Sequence, residues 1–177
     1  MRFLPTEVEG CFIIDLDVLS DDRGGFARTF CSDEFAEHGL EPGLVQCSIS
    51  LNRRAGTVRG MHRQVPPFAE AKLVRCSRGA IADVALDMRP GSSTRGRHAM
   101  VELTAENRRA LYLPPYVFHG FQTLSDDTEI LYGMSGRYAP QGEERRRYDD
   151  PAFGLRWPRE VTAVADKDSR APLWQER

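Results

Sequence analysis

The sequence predicts an all-β domain, an antiparallel sandwich or barrel with short helical turns. Many short segments carry the aliphatic, β-branched and aromatic residues of strands, and clusters of Gly, Pro, Asp and Ser separate them. The chain has 177 residues, of which 41% are hydrophobic, which is enough for one domain with a substantial core. No repeat, linker or low-complexity segment interrupts residues 1–177, which we interpret as a single domain.

The N-terminal part is predicted to contain two strands and one short helix. Residues 11–19 form an apolar segment with partial alternation, and residues 26–30 form a short β-like segment after the turn-rich "SDDRGG". Residues 32–39 indicate a helix of one or two turns, with Ser32 as its N-cap and Gly39 as its end.

The central part is predicted to contain two pairs of strands. Residues 44–51 and 57–64 read as strands joined by the polar "NRRAG". Residues 71–76 and 80–88 flank Ser77-Arg78-Gly79, which predicts a hairpin turn because Gly tolerates a positive φ.

Four more strands complete the β pattern, and the chain then changes character. These strands lie at residues 98–103, 109–114, 119–124 and 128–136. The remainder is charged and irregular, and residues 150–177 are predicted to form a C-terminal surface lap.

Charge and composition narrow the function classes. The 24 Lys and Arg nearly balance the 26 Asp and Glu, which argues against nucleic acid and membrane surfaces as partners but permits a local basic patch for a small anion. The N-terminus lacks a signal-peptide pattern and no apolar run could span a bilayer, so a cytoplasmic location is expected. The four scattered cysteines read as free thiols.

Two of the four histidines lie where they could do chemistry. His62 and His119 are each inside or at the mouth of a predicted strand, next to a glycine that permits close approach. One such His alone would suggest a hydrogen-bonded core residue. Arg59 and Lys72 lie nearby in the strand pattern, and together these side chains predict an electropositive pocket for an anionic substrate that loses a proton.

Several carboxylates could fix the tautomer of such a His. The candidates are Asp83, Asp87, Asp166 and Asp168, and their spacing does not choose between them. Tyr132 is a candidate acid, or else an ordinary barrel aromatic with a satisfied hydroxyl.

Four long blocks lie in order between about Cys11 and Trp174: "DDRGGFARTF", "GTVRGMHRQVPPFAEAKLVRCSRGAIADVALDMRPGSSTRG", "YLPPYVFHGFQTLSDDTEILY" and "YDDPAFGLRWP". They resemble the dTDP-4-dehydrorhamnose 3,5-epimerase family of nucleotide-sugar epimerases. The resemblance implies a jelly-roll, cupin-like barrel and a homodimer that exchanges N-terminal strands. It also implies substrates that are nucleoside-diphosphate 4-keto-6-deoxyhexoses, inverted at C3, C5 or both with neither a metal nor an organic cofactor.

The same resemblance implies four catalytic roles. His62 matches the base that removes the proton beside the C4 ketone, and Asp168 matches the carboxylate that orients this base. Lys72 matches the group that stabilises the enolate oxygen. Tyr132 matches the acid that returns a proton from the opposite face.

Six further positions are implied to bind the substrate. Arg23, Arg59 and His119 match positions around the sugar and diphosphate, and Gln46 matches a position near the nucleotide. Arg28 and Ser48 depart from the family pattern in regions expected to touch the base, so dTDP-linked and CDP-linked sugars are both open. Arg63 also departs, because an aromatic residue is common there.

The segment 57–64 poses a problem of parity. Side chains alternate faces along a regular strand, so Arg59 and His62 should point to opposite sides of the sheet. The resemblance assigns both to one site. Gly60 lies between them, and Gly in a strand often marks a bulge. We therefore predict irregular geometry near Gly60, with Arg59 turned towards the diphosphate and His62 towards the sugar ring.

Two other classes of function compete with an epimerase. A metal-dependent cupin enzyme would use His62, His119 and Glu70, although Gly60 stands where a His-x-His pair would need a ligand. A non-catalytic nucleotide-sugar binding protein could share the scaffold, but it would not need the proton-handling residues.

Overall fold

The computed structural model describes residues 1–175 and is built mainly from short strands. In chain order the strands are β1 (Arg2–Pro5), β2 (Phe12–Asp15), β3 (Leu19–Asp21), β4 (Gly24–Phe26), β5 (Gln46–Asn52), β6 (Thr57–Gln64), β7 (Lys72–Arg78), β8 (Ala80–Leu86), β9 (His98–Thr104), β10 (Ala110–Leu113), β11 (Phe118–Thr123), β12 (Thr128–Met134), β13 (Glu143–Arg145) and β14 (Ala163–Val164). The helices are α1 (Ser32–Glu37) and α2 (Asp166–Ser169), with 3₁₀ turns at Pro140–Gly142 and Pro151–Phe153.

The strands form two six-stranded sheets and a separate hairpin. The first sheet has the order β1-β2-β10-β7-β12-β5, and the second has the order β13-β6-β11-β8-β9 with β14 added beside β6. The β3–β4 hairpin is a small sheet of its own. Among the described strands, β14 pairs in parallel with β6 and the other pairings are antiparallel.

Apolar side chains fill three layers. Residues of both sheets, such as Val74, Leu111 and Phe121, form the cluster between the sheets, so this cluster is the barrel interior. A second cluster packs Phe35 of α1 onto the outer face of the first sheet. A third packs Phe153 onto the outer face of the second sheet. Burial of each such side chain contributes about 1.5–3 kcal/mol.

Most predicted strands are found, but two local predictions are wrong. Residues 26–30 do not form a strand, because β4 ends at Phe26. The turn at 77–79 does not close a hairpin. β7 pairs with β10 and β12, whereas β8 pairs with β9 and β11, so this turn carries the chain from one sheet to the other. Gly79 does adopt a positive φ of 79°, and this turn chemistry serves both kinds of connection.

The helix and the C-terminal segment also differ from the predictions. The N-cap position of α1 is Cys31, and Ser32 is its first helical residue. The segment 150–177 is more than a surface lap, since it supplies β14 and α2 and buries Phe153 and Asp168. Its last two positions lie outside the described residues. No helix within residues 1–175 has the length and hydropathy needed to cross a membrane.

Candidate active site

A β-bulge in β6 resolves the parity problem of Arg59 and His62. His62 pairs with His119 of β11, and Arg59 pairs with Phe121, so three steps along β6 match two steps along β11. Because Phe121 and His119 are two residues apart, they share one face of the sheet, and their partners share it too. Phe121 belongs to the interior cluster, so Arg59 and His62 both lie on the interior face. The predicted irregularity near Gly60 is confirmed, while the predicted contacts to diphosphate and sugar stay predictions.

His62 and Tyr132 come from different sheets, and the ring of each lies next to that of His119. The ring centroids of His62 and His119 are 5.8 Å apart, and those of His119 and Tyr132 are 6.1 Å apart. Tyr132 lies on β12 in the first sheet and packs against the interior cluster. The two sheets therefore present an imidazole and a phenol to the same interior space.

The protonation states of these two groups suit a base and an acid. Burial, reinforced by the nearby His119 ring and the ammonium of Lys72, lowers the pKa of His62 well below its ordinary value. His62 is therefore neutral at pH 7 and can accept a proton. Burial, with the nearby negative charge of Asp83, raises the pKa of Tyr132, so its hydroxyl keeps its proton.

Lys72 places a cation in the same interior. It begins β7, two residues before Val74 of the interior cluster, so it shares that face. Its ammonium pairs with Glu70 and its side chain is 12% exposed. Burial lowers the pKa of Lys72 to about 8, against the raising effect of Glu143. Lys72 is charged at neutral pH but is poised to lose its proton in mildly alkaline solution.

Polar side chains of β5 border the phenol. Ser48 lies directly opposite Tyr132, and Gln46 lies opposite Met134 on the same face. The Gln46 side chain accepts a hydrogen bond from the Tyr138 backbone N–H at 3.1 Å. The two predicted nucleotide-region positions on β5 therefore share the face of Tyr132.

Asn52 holds the guanidinium of Arg59 in place. Nothing in the sequence indicated this role. The Arg59 Nε donates to Asn52 Oδ1 at 2.8 Å, and Asn52 is 4% exposed. Asn52 was assigned to a polar loop, whereas it is the last residue of β5. A buried amide beside a functional arginine fixes the direction of the guanidinium.

Asp168 lies at the bulge but does not bond to His62. Its Oδ1 accepts from Arg145 Nη1 at 2.6 Å, and its Oδ2 accepts from the Gly60 N–H at 3.4 Å. Arg145 on β13 lies directly opposite His62 on β6. The Nδ1 atom of His62 has no hydrogen-bond partner within the described structure. The geometry thus makes Asp168 a support of the strand that carries His62. Arg145 was missed because it lies in a stretch that reads as charged and irregular.

Asp83 is the carboxylate that bonds to a site histidine. Its Oδ1 lies 2.7 Å from His119 Nε2, and neither side chain is more than 1% exposed. Asp87 is committed elsewhere, since it accepts from Arg89, Ser92 and Thr94 in the loop after β8. The spacing of the carboxylates gave no signal for this choice.

Arg23 and Arg28 are not brought to the interior. The Arg23 side chain is 89% exposed on the β3–β4 hairpin and pairs with Asp21. Arg28 pairs with Glu34 of α1 at 2.8 Å. These two predicted binding residues are therefore separate from the other predicted site residues within one chain.

Arg63 lies on the outer face of the second sheet. It donates to Glu144 at 2.7 Å and to the Tyr116 carbonyl at 3.0 Å. Its guanidinium stacks 4.4 Å from the centre of the Phe118 ring. This residue fills a packing position, and its departure from the family pattern does not change the interior.

Two of the three candidate metal ligands are engaged with other side chains. Glu70 pairs with Lys72 and His119 with Asp83. Within the described part of the chain, no group of three or more His, Cys, Asp or Glu is placed to hold a metal ion.

The fold and the interior together define a class of protein, a jelly-roll, cupin-like barrel whose interior holds an imidazole, a phenol and an ammonium group. The model of the family "dTDP-4-dehydrorhamnose 3,5-epimerase" matches residues 5–176. A relative of that name from Sinorhizobium fredii is 44% identical over 86% of this chain and 78% of its own length. The chain belongs to the dTDP-4-dehydrorhamnose 3,5-epimerase family, so the predictions of family, isomerase class and all-β cupin-like fold are confirmed.

Solved structures of similar proteins agree. The dTDP-4-dehydrorhamnose 3,5-epimerase of Elizabethkingia anophelis has a TM-score of 0.95 and 33% identity, with coverage of 98% of this chain and 96% of that chain. A 3'-monoepimerase of Streptomyces bikiniensis, in complex with dTDP-quinovose, has a TM-score of 0.87 and 34% identity, with coverage of 96% and 86%.

Proposed function

We propose that the protein epimerises a nucleoside-diphosphate 4-keto-6-deoxyhexose at C3, C5 or both. The observation that carries this proposal is that one sheet places a neutral His62, and the other a protonated Tyr132, in the same interior space. Inversion beside a ketone needs a base on one face of the sugar and a proton donor on the other. Family membership supports the same reaction.

The steps follow from these positions. His62 takes the proton on the carbon beside the C4 ketone, and the electrons of that C–H bond form the enolate. Lys72 stabilises the negative charge on the enolate oxygen. Tyr132 then gives its proton to the opposite face of the carbon, and the ketone re-forms. One base and one acid can serve C3 and C5 in turn.

dTDP is the proposed nucleotide, because the relatives carry dTDP in their names and one binds dTDP-quinovose. Arg28 and Ser48 keep a CDP-linked sugar as the alternative. Inversion at one carbon and inversion at two carbons are both open, since the relatives include a 3,5-epimerase and a 3'-monoepimerase. Incubation of dTDP- and CDP-linked 4-keto-6-deoxyglucose in deuterated water separates these cases, because deuterium enters each carbon that is exchanged. No deuterium in either sugar would contradict the proposed function.

Tyr132→Phe is expected to reduce net inversion by about tenfold while hydrogen exchange falls by less than about threefold. The base and the enolate site remain, so protons still leave, but they return mainly to the face from which they came. NMR of the sugar in deuterated water measures both quantities. Leu131→Ala, next to Tyr132 on β12 and 42% exposed, is the control for disturbance of the strand pair. Equal loss of exchange and inversion would contradict the acid role of Tyr132.

The rate of exchange is expected to be bell-shaped in pH. His62 becomes protonated at a pH well below 6.5 and then cannot accept a proton. Lys72 loses its charge as the pH rises through about 8, so enolate stabilisation is lost there. Exchange rates across this range measure both limbs. Lys72→Arg should move the alkaline limb upward, because a guanidinium stays charged. An alkaline limb that Lys72→Arg leaves in place would contradict its assignment to Lys72.

A homodimer is part of the proposal. Leu19 and Phe26 on the β3–β4 hairpin are 73% and 75% exposed, so the hairpin offers apolar surface beside Arg23. Exchange of N-terminal strands would cover this surface and carry Arg23 to the neighbouring site. Sedimentation is expected to give twice the 20.0 kDa chain mass, and Leu19→Asp with Phe26→Asp should shift it towards the monomer. A monomer at micromolar concentration would contradict the homodimer.

A further inference from the structure

Asp83 is a buried carboxylate in an otherwise apolar strand. It lies in the middle of β8, between Ala82 and Val84, and it is 0% exposed. Its Oδ1 is bonded to His119, and its Oδ2 has no partner within the described structure. Burial of a carboxylate is unfavourable unless it is compensated, so this residue calls for a reason beyond packing.

His119 is the side chain that lies next to both proton-handling groups. Its ring meets those of His62 and Tyr132 nearly edge-on, at interplanar angles of 88° and 80°. One ring nitrogen, Nε2, is held by Asp83. The other, Nδ1, is buried and has no partner within residues 1–175. In the interior of the barrel, Nδ1 is thus the ring atom that remains for a substrate.

We infer that Asp83 is a positioning residue, which holds His119 with its proton on Nε2 and leaves Nδ1 to bond the sugar between His62 and Tyr132. The inference rests on the proposed function. Asp83 acts through His119 and does not itself touch the substrate. A carboxylate is acceptor-only when ionised, so it selects the ring nitrogen that carries a proton.

Asp83 interacts electrostatically with both of the rings beside it, His119 and Tyr132. Burial raises the pKa of Asp83, and the hydrogen bond from His119 opposes that rise. Asp83 also adds to the raised pKa of Tyr132. Loss of the carboxylate should therefore disturb the imidazole most and leave the apolar packing of β8 in place.

Asp83→Asn preserves the shape of the side chain but adds a donor. The amide can donate to Nε2, which would move the His119 proton to Nδ1. We expect kcat for exchange to fall about 10–100-fold with KM changed less than about threefold. Nitrogen-15 NMR of the imidazole should show an Nε2–H ring in the wild type and an Nδ1–H ring in the variant.

A double-mutant cycle separates positioning from a structural role. In a His119→Asn background, Asp83→Asn should reduce kcat by less than about threefold more, because its effect passes through His119. If Asp83→Asn lowered kcat as much in the His119→Asn background as it does in the wild type, the inference would be overturned. Asp87→Asn is the matched control, a buried carboxylate beyond the end of the same strand, and it should leave kcat and the His119 tautomer unchanged.

The remaining outcomes are also decisive. An Nδ1–H tautomer in the wild type overturns the inference even if Asp83→Asn does not fold. Unchanged kcat in a folded Asp83→Asn overturns it as well. If the wild type exchanges no deuterium from either sugar, the proposed function fails, while the NMR tautomer still tests whether Asp83 sets the state of His119.

Discussion

His62→Ala is expected to abolish deuterium incorporation, by about 10³-fold or more, while the protein stays folded. Within residues 1–175, no other imidazole occupies the position of His62 on β6. His119 is held at Nε2 by Asp83, and the cross-strand geometry places it beside His62 and not in its position. Lys72 is charged at neutral pH and cannot accept a proton there.

The fold should tolerate this change because the His62 ring holds no neighbouring group in place. Its Nδ1 makes no hydrogen bond within the described structure, so the substitution leaves no buried partner unsatisfied. The free energy of unfolding should therefore stay within about 1–2 kcal/mol of the wild-type value, as measured by thermal unfolding. His98→Ala, at the start of β9, is the matched control and should exchange deuterium at the wild-type rate. Unchanged exchange in His62→Ala would remove the base from the proposed mechanism.

The strand pattern was predictable because it depends on local chemistry. Residues 57–64 were assigned as a strand and β6 has these bounds, since its apolar residues and flanking polar loop are visible in the sequence. The pairing of strands was less accessible. The turn at 77–79 is chemically suited to a hairpin, yet β7 and β8 each already have two other partners. Such pairing is decided by long-range contacts that turn residues do not encode.

The candidate site was predictable in its residue types more than in its bonds. His62, Tyr132 and His119 do lie together, on strands that the alternation of apolar residues could locate. The partner of each polar group could not be read from spacing. Asp168 supports Gly60 and Arg145, whereas Asp83 bonds to His119, and both carboxylates are far in sequence from the groups they contact. Arg23 and Arg28 lie apart, because the turn residues around them indicate a hairpin but not where it lies relative to the barrel interior.

Gly60→Ala is expected to reduce exchange by about 10²-fold and to lower the free energy of unfolding by about 2–4 kcal/mol. Gly60 has a φ of 123°, which residues with a side chain rarely adopt. An added Cβ would lie 2.5 Å from the Gly120 Cα and 2.8 Å from the His119 carbonyl oxygen. Those atoms belong to the backbone of β11, so relief requires β6 and β11 to separate where His62 faces His119.

The activity loss and the stability loss have the same origin, and a control can divide them. Gly91 has a φ of 77° with no atom within 4 Å of an added Cβ. Gly91→Ala therefore introduces a strained backbone without the clash, and should destabilise by about 1 kcal/mol with wild-type exchange. Exchange per folded molecule, with unfolding followed in denaturant, makes the comparison. Full activity in Gly60→Ala would show that the bulge is not needed to bring Arg59 and His62 to one face. A large activity loss in that variant alone would show that the close approach of the Gly60 and Gly120 backbones sets the direction of the His62 ring.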